Sequence, residues 1–208
     1  MYSPSSLTLR AGSEIRETGG QLVGVAKVCD HPKYNPSNNW DYDFSVLKLE
    51  TPLTLSSTVQ TIAIQPEGEE VPTGVLGRVS GWGKLDFTAT SLPWHLQTVE
   101  VPKSDDVKCA EAYAGYNITS RMTCYAYDEG GKSPCQVNHN LVILLSIHYN
   151  NRWQADSGGP VVANGKLTGV VSWSIRCADP KYPAVFCKIS NSEIADHIKQ
   201  CLKDFRSL

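Results

Sequence analysis

The chain has 208 residues, 41% of them hydrophobic, and a formal net charge of −2. That length suits one domain or a pair of small ones, with enough apolar content for a sizeable core. The charge argues against a nucleic-acid or anionic-membrane partner, and the longest apolar run, residues 141–147, is far shorter than the roughly 20 residues of a membrane-spanning helix.

In chain order, the opening MYSPSSLTLR has no charged n-region and no apolar h-region, so it is not a signal peptide. Seven cysteines nevertheless favour an oxidising compartment. Together these predict that the natural amino terminus lies upstream. Runs rich in Val, Ile, Leu, Thr and Trp follow at residues 22–28, 45–49, 77–82, 96–101 and 167–173. Turn signals separate them: His31-Pro32, Asn35-Pro36, Pro72-Thr73-Gly74 and Asn164-Gly165. Asn-Gly between Val161-Val162 and Leu167 predicts a tight hairpin. The pattern is that of an all-β barrel or sandwich. Residues 192–205 are the exception. After Asn191 and Ser192 as caps, Ile194, Ala195, Ile198, Cys201, Leu202 and Phe205 recur at helical spacing and predict an amphipathic C-terminal helix.

The segment with the clearest chemistry is Asp156-Ser157-Gly158-Gly159-Pro160. A nucleophilic serine needs an exposed hydroxyl, backbone N–H groups aimed at a developing oxyanion, and small neighbours that admit a substrate carbonyl. Alone, the same five residues also read as an ordinary turn. Their context decides between the two. DSGGPVV followed by GKLTGVVSW resembles the nucleophile region of trypsin/chymotrypsin-type serine proteases. Ser80-Gly81-Trp82-Gly83 is similar to that family's SGWG segment. Asp43-Phe44 before Val46-Leu47-Lys48-Leu49 resembles the strand after its catalytic aspartate. Residues 118–124 resemble the stretch before its specificity pocket, and Tyr182-Pro183-Ala184-Val185-Phe186 the pocket's far wall.

The resemblance implies two antiparallel β-barrels of the chymotrypsin type, the first incomplete, with a C-terminal α-helix. Residues 1–72 would be the remnant of the first barrel, and 73–208 the second barrel and helix. Ser157 would be the nucleophile, Asp43 the carboxylate that orients a histidine, and the N–H groups of Ala155 and Ser157 the oxyanion hole. Asp156 would pair with the amine created on activation. Without the matching strand, Asp43 would read as a solvated turn residue beside Asn39 and Asp41. Ser133 would form the pocket floor, with Ser172, Trp173, Ser174 and Ala184 as walls. Disulfides Cys109–Cys124 and Cys135–Cys177 are implied, and a further family bridge is absent on both sides, at Gly77 and Ala163. Cys29, Cys187 and Cys201 are left over and expected to be buried free thiols, an intermolecular bridge being the alternative. Asn117-Ile118-Thr119 is a glycosylation sequon.

Three departures bear on activity. No A-A-H-C segment precedes Asp43; His31 alone does, in a stretch that resembles a surface turn. No activating amine is supplied. Residues 137–155 separate Cys135-Gln136 from the nucleophile motif, eighteen more than the family spacing, so that Gln136 and Gln154 compete for one family position and Asn151 competes with Ser133; the extra segment is 137–154. This insert is expected to be translated non-coding sequence, the alternative being a real surface loop. The expected protein is an extracellular, monomeric serine endopeptidase relative with protein or peptide substrates, possible protease inhibitors as partners, and no metal or cofactor. As this chain stands it is expected to be inactive; the alternatives are a non-catalytic homologue that binds a partner and a working hydrolase that draws its histidine from elsewhere, such as His148.

Overall fold

The structure is a computed structural model that describes residues 3–84, 90–131, 157–176 and 179–207. Its first strands are β1 (Thr8–Ala11), β2 (Gln21–Asp30) and β3 (Ser45–Leu49), which form an antiparallel sheet in that order. Val23 and Val25 lie two residues apart and so share one face, where they bury against Leu9, Leu47, Leu49 and Leu53. Leu22, on the opposite face, stays exposed.

Then come β4 (Ala63–Ile64), β5 (Leu76–Gly81), β6 (Gln97–Pro102), α1 (Asp106–Ala112), β7 (Met122–Tyr125), β8 (Pro160–Ala163), β9 (Lys166–Trp173), β10 (Ala184–Lys188) and α2 (Ser192–Arg206). The second sheet has the order β6-β5-β8-β9-β10-β7, with β4 added in parallel to β9. Its two ends meet. Lys103 and Tyr125 form an antiparallel bridge, and the Ser104 and Ala126 N–H groups donate to Cys124 and Pro102 carbonyls at 2.8 and 3.0 Å. These bonds pair the edge strands with each other and curl the sheet into a barrel. Val79, Val101, Tyr125, Val161 and Phe186 fill it. The mostly-β architecture with a C-terminal helix is the chymotrypsin-type fold implied by the resemblance.

Local chemistry accounts for the elements. Asn164 and Gly165 join β8 to β9 with φ of 51° and 73°, the left-handed pair that a two-residue hairpin turn requires. The β5–β8 register pairs Arg78 with Val162, which carried one step sets Gly77 opposite Ala163. A Cβ on Gly77 would come within 2.6 Å of the Tyr125 ring, so the absent bridge's place is taken by an aromatic core residue. Helix α2 begins where Asn191 accepts from the Glu193 N–H at 3.1 Å, and buries Ile194, Ala195, Ile198 and Cys201 as its spacing predicts. Helix α1 is not foreseen by periodicity. Its signal is the cap: the Asp105 carboxylate accepts from Val107 and Lys108 N–H groups at 2.9 and 3.0 Å.

The cysteines bring one correction. Cys109–Cys124 is bonded as the resemblance implies, and Cys187 is a buried free thiol. Cys29 and Cys201, however, are not free thiols: they form a disulfide across 172 residues, with their Cα atoms 6.0 Å apart. The end of β2 and the buried face of α2 meet only in the tertiary fold, so spacing along the chain carried no hint of it. Cys135 and Cys177 lie outside the described residues.

The Cys29–Cys201 bridge closes a long loop between the first sheet and the last helix. Replacing both cysteines by serine should lower unfolding free energy by about 2–5 kcal/mol. Urea denaturation followed by tryptophan fluorescence, with the Cys109–Cys124 bridge left intact, measures it. A loss under about 0.5 kcal/mol, the ordinary surface-substitution range, would show that packing alone seats α2.

Candidate active site

The loop between β2 and β3 carries Asp43, and a buried ion pair shapes it. Asp41, whose side chain is 4% exposed, takes a fork of hydrogen bonds from Arg121: Nε to Oδ1 at 2.9 Å and Nη2 to Oδ2 at 2.7 Å. Thr119 Oγ1 and the Tyr42 N–H each add a bond to Oδ1 at 3.0 Å. Burial alone would push the Asp41 carboxyl up, but the hydrogen bonds from Arg121 and Thr119 outweigh it and hold Asp41 below the usual range. The third Arg121 nitrogen, Nη1, reaches Glu193 at the start of α2 at 2.9 Å. Glu193 also accepts from Lys33 at 2.6 Å and from the Tyr42 hydroxyl at 2.9 Å. Lys33 first, then Tyr42, bring its carboxyl down to about 2.

Around Asp41 the backbone is strained. Asn39, Trp40 and Tyr42 have φ of 51°, 54° and 59°. For side chains as large as Trp and Tyr this region costs roughly 1–2 kcal/mol per residue. The Tyr42 ring stacks on His31 with centroids 4.5 Å apart and also lies 4.2 Å from the Arg121 guanidinium carbon. Tyr42 and Phe44 pack with Val46 against Ile194 and Ile198 of α2 and Cys187 of β10. Asp43 is therefore flanked by two anchored rings.

The Asp43 carboxylate turns to β9, where Ser172 Oγ donates to its Oδ2 at 2.6 Å. Strand β9 also holds the segment after Ser157. The Gly158 N–H donates to Val171 O at 2.9 Å, and the Val171 N–H to Gly159 O at 2.8 Å. Gly158 has φ 86°, a conformation that suits glycine. Ser157 itself is exposed. One short stretch of β9, Val171 and Ser172, thus contacts both the Asp43 carboxylate and the turn that begins at Ser157. Asp43 is partly buried, not the solvated turn residue of the alternative reading.

Of the wall residues, Trp173 sits edge-on to Tyr113 at 4.8 Å and near Trp40 and Tyr116 at 5.7 and 5.8 Å. The indole N–H of Trp173 is buried and finds no partner among the described residues. Trp40, Tyr113 and Tyr116 were not legible as site residues, because they gather only when the loop and α1 fold against β9. Tyr113 donates to Pro183 O, and burial pushes its phenol up to about 12. Ser174 Oγ donates to Arg176 O at 2.7 Å, and Ala184 is buried at the start of β10. Asn117 is exposed. Ser133, Asn151, Ala155, Asp156 and the whole insert 137–154 lie outside the described residues.

No described histidine hydrogen-bonds Asp43. His31 is in the predicted turn, but its ring is buried between Tyr42 and His197, and its Nδ1 accepts from the Lys33 N–H at 3.2 Å. His197 pairs with Cys29 O at 3.1 Å, and His95 is exposed. His139 and His148 are outside the described residues.

Burial pushes the Asp43 carboxyl above its ordinary value of 3.8, against the pull of Ser172. A carboxyl raised on folding favours the protonated fold: its contribution is present below the unfolded value and is lost as pH rises through the folded one. Asp43→Asn keeps the acceptor for Ser172 without the buried charge. It should unfold at higher urea concentration than the parent near pH 7, and the gap should close near pH 3. Equal midpoints at both pH values would show that Asp43 is not desolvated.

The chain matches the family model described as Trypsin over residues 1–138 and 146–197; the break at 139–145 falls inside the predicted insert. It is 36% identical over 190 residues to the vitellin-degrading protease of Bombyx mori, covering 91% of this chain and 64% of that protein. Identity is 37% to the cationic trypsin-3 of Rattus norvegicus, over 90% of this chain and 68% of that one. It is 35% to the trypsin of Sus scrofa, over 90% and 73%. The chain thus spans about two-thirds of the length of these relatives. Family-wide sequence agreement, on a fold of the matching class, means that this chain belongs to the trypsin family of serine proteases.

Proposed function

We propose that this chain carries the nucleophile and the orienting carboxylate of a serine endopeptidase. Ser157 Oγ attacks the scissile carbonyl while an imidazole takes its proton; Asp43 fixes that imidazole's tautomer and stabilises the imidazolium. The oxyanion is met by the N–H groups of Ala155 and Ser157. Collapse of the tetrahedral adduct hands the proton to the leaving amine, and water then hydrolyses the acyl-enzyme. The supporting observation is the contact of one strand with both groups: Ser172 on the Asp43 carboxylate, Val171 on the glycines after Ser157.

The imidazole has to come from outside the described residues, since His31, His95 and His197 are all engaged or placed elsewhere. Neither His139 nor His148 stands in a stretch that matches the family's histidine segment, so the imidazole is expected from an upstream segment and the 208-residue chain by itself is expected to be inactive. The same observation favours a second reading, a non-catalytic homologue that binds proteins or peptides. The full activity reading brings with it an extracellular monomer and susceptibility to protease inhibitors. Two disulfides fit an oxidising compartment, and no helix among the described residues is long and apolar enough to cross a membrane.

An active-serine phosphonate probe and a peptide ester separate these readings. The 208-residue chain should show neither labelling nor turnover. A longer form that adds an upstream histidine should do both, and Ser157→Ala should cut its kcat by at least ~10³-fold. Ser157-dependent turnover by the 208-residue chain would overturn the reliance on an outside imidazole. A longer form with no labelling would favour the non-catalytic homologue.

Substrate preference follows from the uncharged floor residue Ser133, which offers no partner to a buried Lys or Arg side chain. Small and medium apolar residues before the cleaved bond should dominate a peptide-library profile, because Ser174 and Ala184 narrow the walls. A profile dominated by Arg would place a different residue at the floor.

A further inference from the structure

The strained loop and the buried ion pair beside it share a consequence for Asp43. Asn39, Trp40 and Tyr42 all hold left-handed backbone, and the residue after the last of them is Asp43. Loops of this kind relax unless something outside them holds the geometry. Four hydrogen bonds meet on the one carboxylate of Asp41, three of them from Thr119 and Arg121, which lie 78 and 80 residues further along the chain. The same guanidinium lies over the Tyr42 ring, its carbon 4.2 Å from the centroid. Relaxation at Tyr42 would swing Asp43 off Ser172, because a change in one φ rotates everything that follows it.

We propose that Arg121, with Thr119, is a positioning residue for Asp43: by clamping Asp41 it holds the strained loop in the one shape that presents the Asp43 carboxylate to Ser172. The role rests on the reading of Asp43 as the orienting carboxylate. Among the described residues Arg121 forms no hydrogen bond or ion pair with Asp43 or Ser157, and it acts through Asp41 and Tyr42. A lysine cannot replace it, since an ammonium cannot fork onto both carboxylate oxygens and cover a ring at once.

Carbon-13 NMR of the aspartate carboxyls tests the clamp without any catalysis, with Asp43→Asn and Asp41→Asn assigning the two signals. The variant is Asp41→Asn/Arg121→Gln, which removes one charge of each sign and leaves no unpaired ion in the loop. Among the described residues, the groups that face Asp43 from other elements are Ser172 of β9, which does not titrate, and the Cys187 thiol of β10, which burial pushes far up. Asp43 should titrate above the ordinary range in the parent and fall back into it in the double variant, as the loop opens to water. A double variant with the parent's circular dichroism and an unmoved Asp43 midpoint would overturn the proposal. If the double variant does not fold, Arg121→Lys decides: a partial fall supports the clamp, and no change overturns it. In a longer form that turns over peptide esters, the double variant should lose about 10²-fold in kcat with KM little changed. Full activity there would overturn the proposal. A parent without turnover would count against the hydrolase reading and leave the titration result standing.

Discussion

The ion pair of Arg121 and Asp41 is the constraint on which the arrangement of the site depends. It joins three parts of the chain: the loop of the first sheet through Asp41, the segment before β7 through Thr119 and Arg121, and the first turn of α2 through Glu193. Two charges taken out of water are strongly unfavourable unless each is fully met. Here the carboxylate receives four donors and the guanidinium gives to two acids, so desolvation is offset on both sides. Such geometry tolerates little slippage. A shift of either partner would strand a buried charge, and that makes the pair a locator as well as a fastener.

Around this point the other seams fall into place. Cys29–Cys201 ties β2 to the far end of α2. Lys48 reaches from β3 to the carbonyl of Phe205 at 2.6 Å, which satisfies one of the helix's last acceptors with a cation of the sign its dipole favours. Nearer the start of the helix, Ile194 and Ile198 pack on Tyr42, Phe44 and Val46. The C-terminal helix therefore acts as a brace for the short sheet, reached by covalent, ionic and apolar contacts at successive turns.

Strand β9 plays the corresponding part on the other side. Its hairpin with β8 is set by Asn164 and Gly165, and its register carries Val171 and Ser172 to the site. Asp43 sits where burial disfavours its charge. A buried carboxyl whose charged form is disfavoured works against stability near neutral pH. Local choices that disagree with stability in this way gather at functional sites.

Much was legible in the sequence by itself. Runs rich in Val, Ile, Leu, Thr and Trp between turn signals located β2, β3, β5, β6 and β9 to within one or two positions, because such side chains suit a half-buried pleated surface. Asn-Gly announced its hairpin, since few other pairs accept two left-handed residues in a row. Helical spacing from Ile194 onward marked α2 for the same reason of one buried face. The motifs around Asp43 and Ser157 pointed to the family, and Cys109 and Cys124 to their bridge. What the sequence could not carry were pairings between distant residues. Cys29 and Cys201 read as leftovers, Asp41 as one more turn residue, and Arg121 only as part of a family-like stretch, while Trp40 was not singled out. Each acquires its role from a partner dozens to more than a hundred residues away, and only closure of the fold brings such partners within bonding distance.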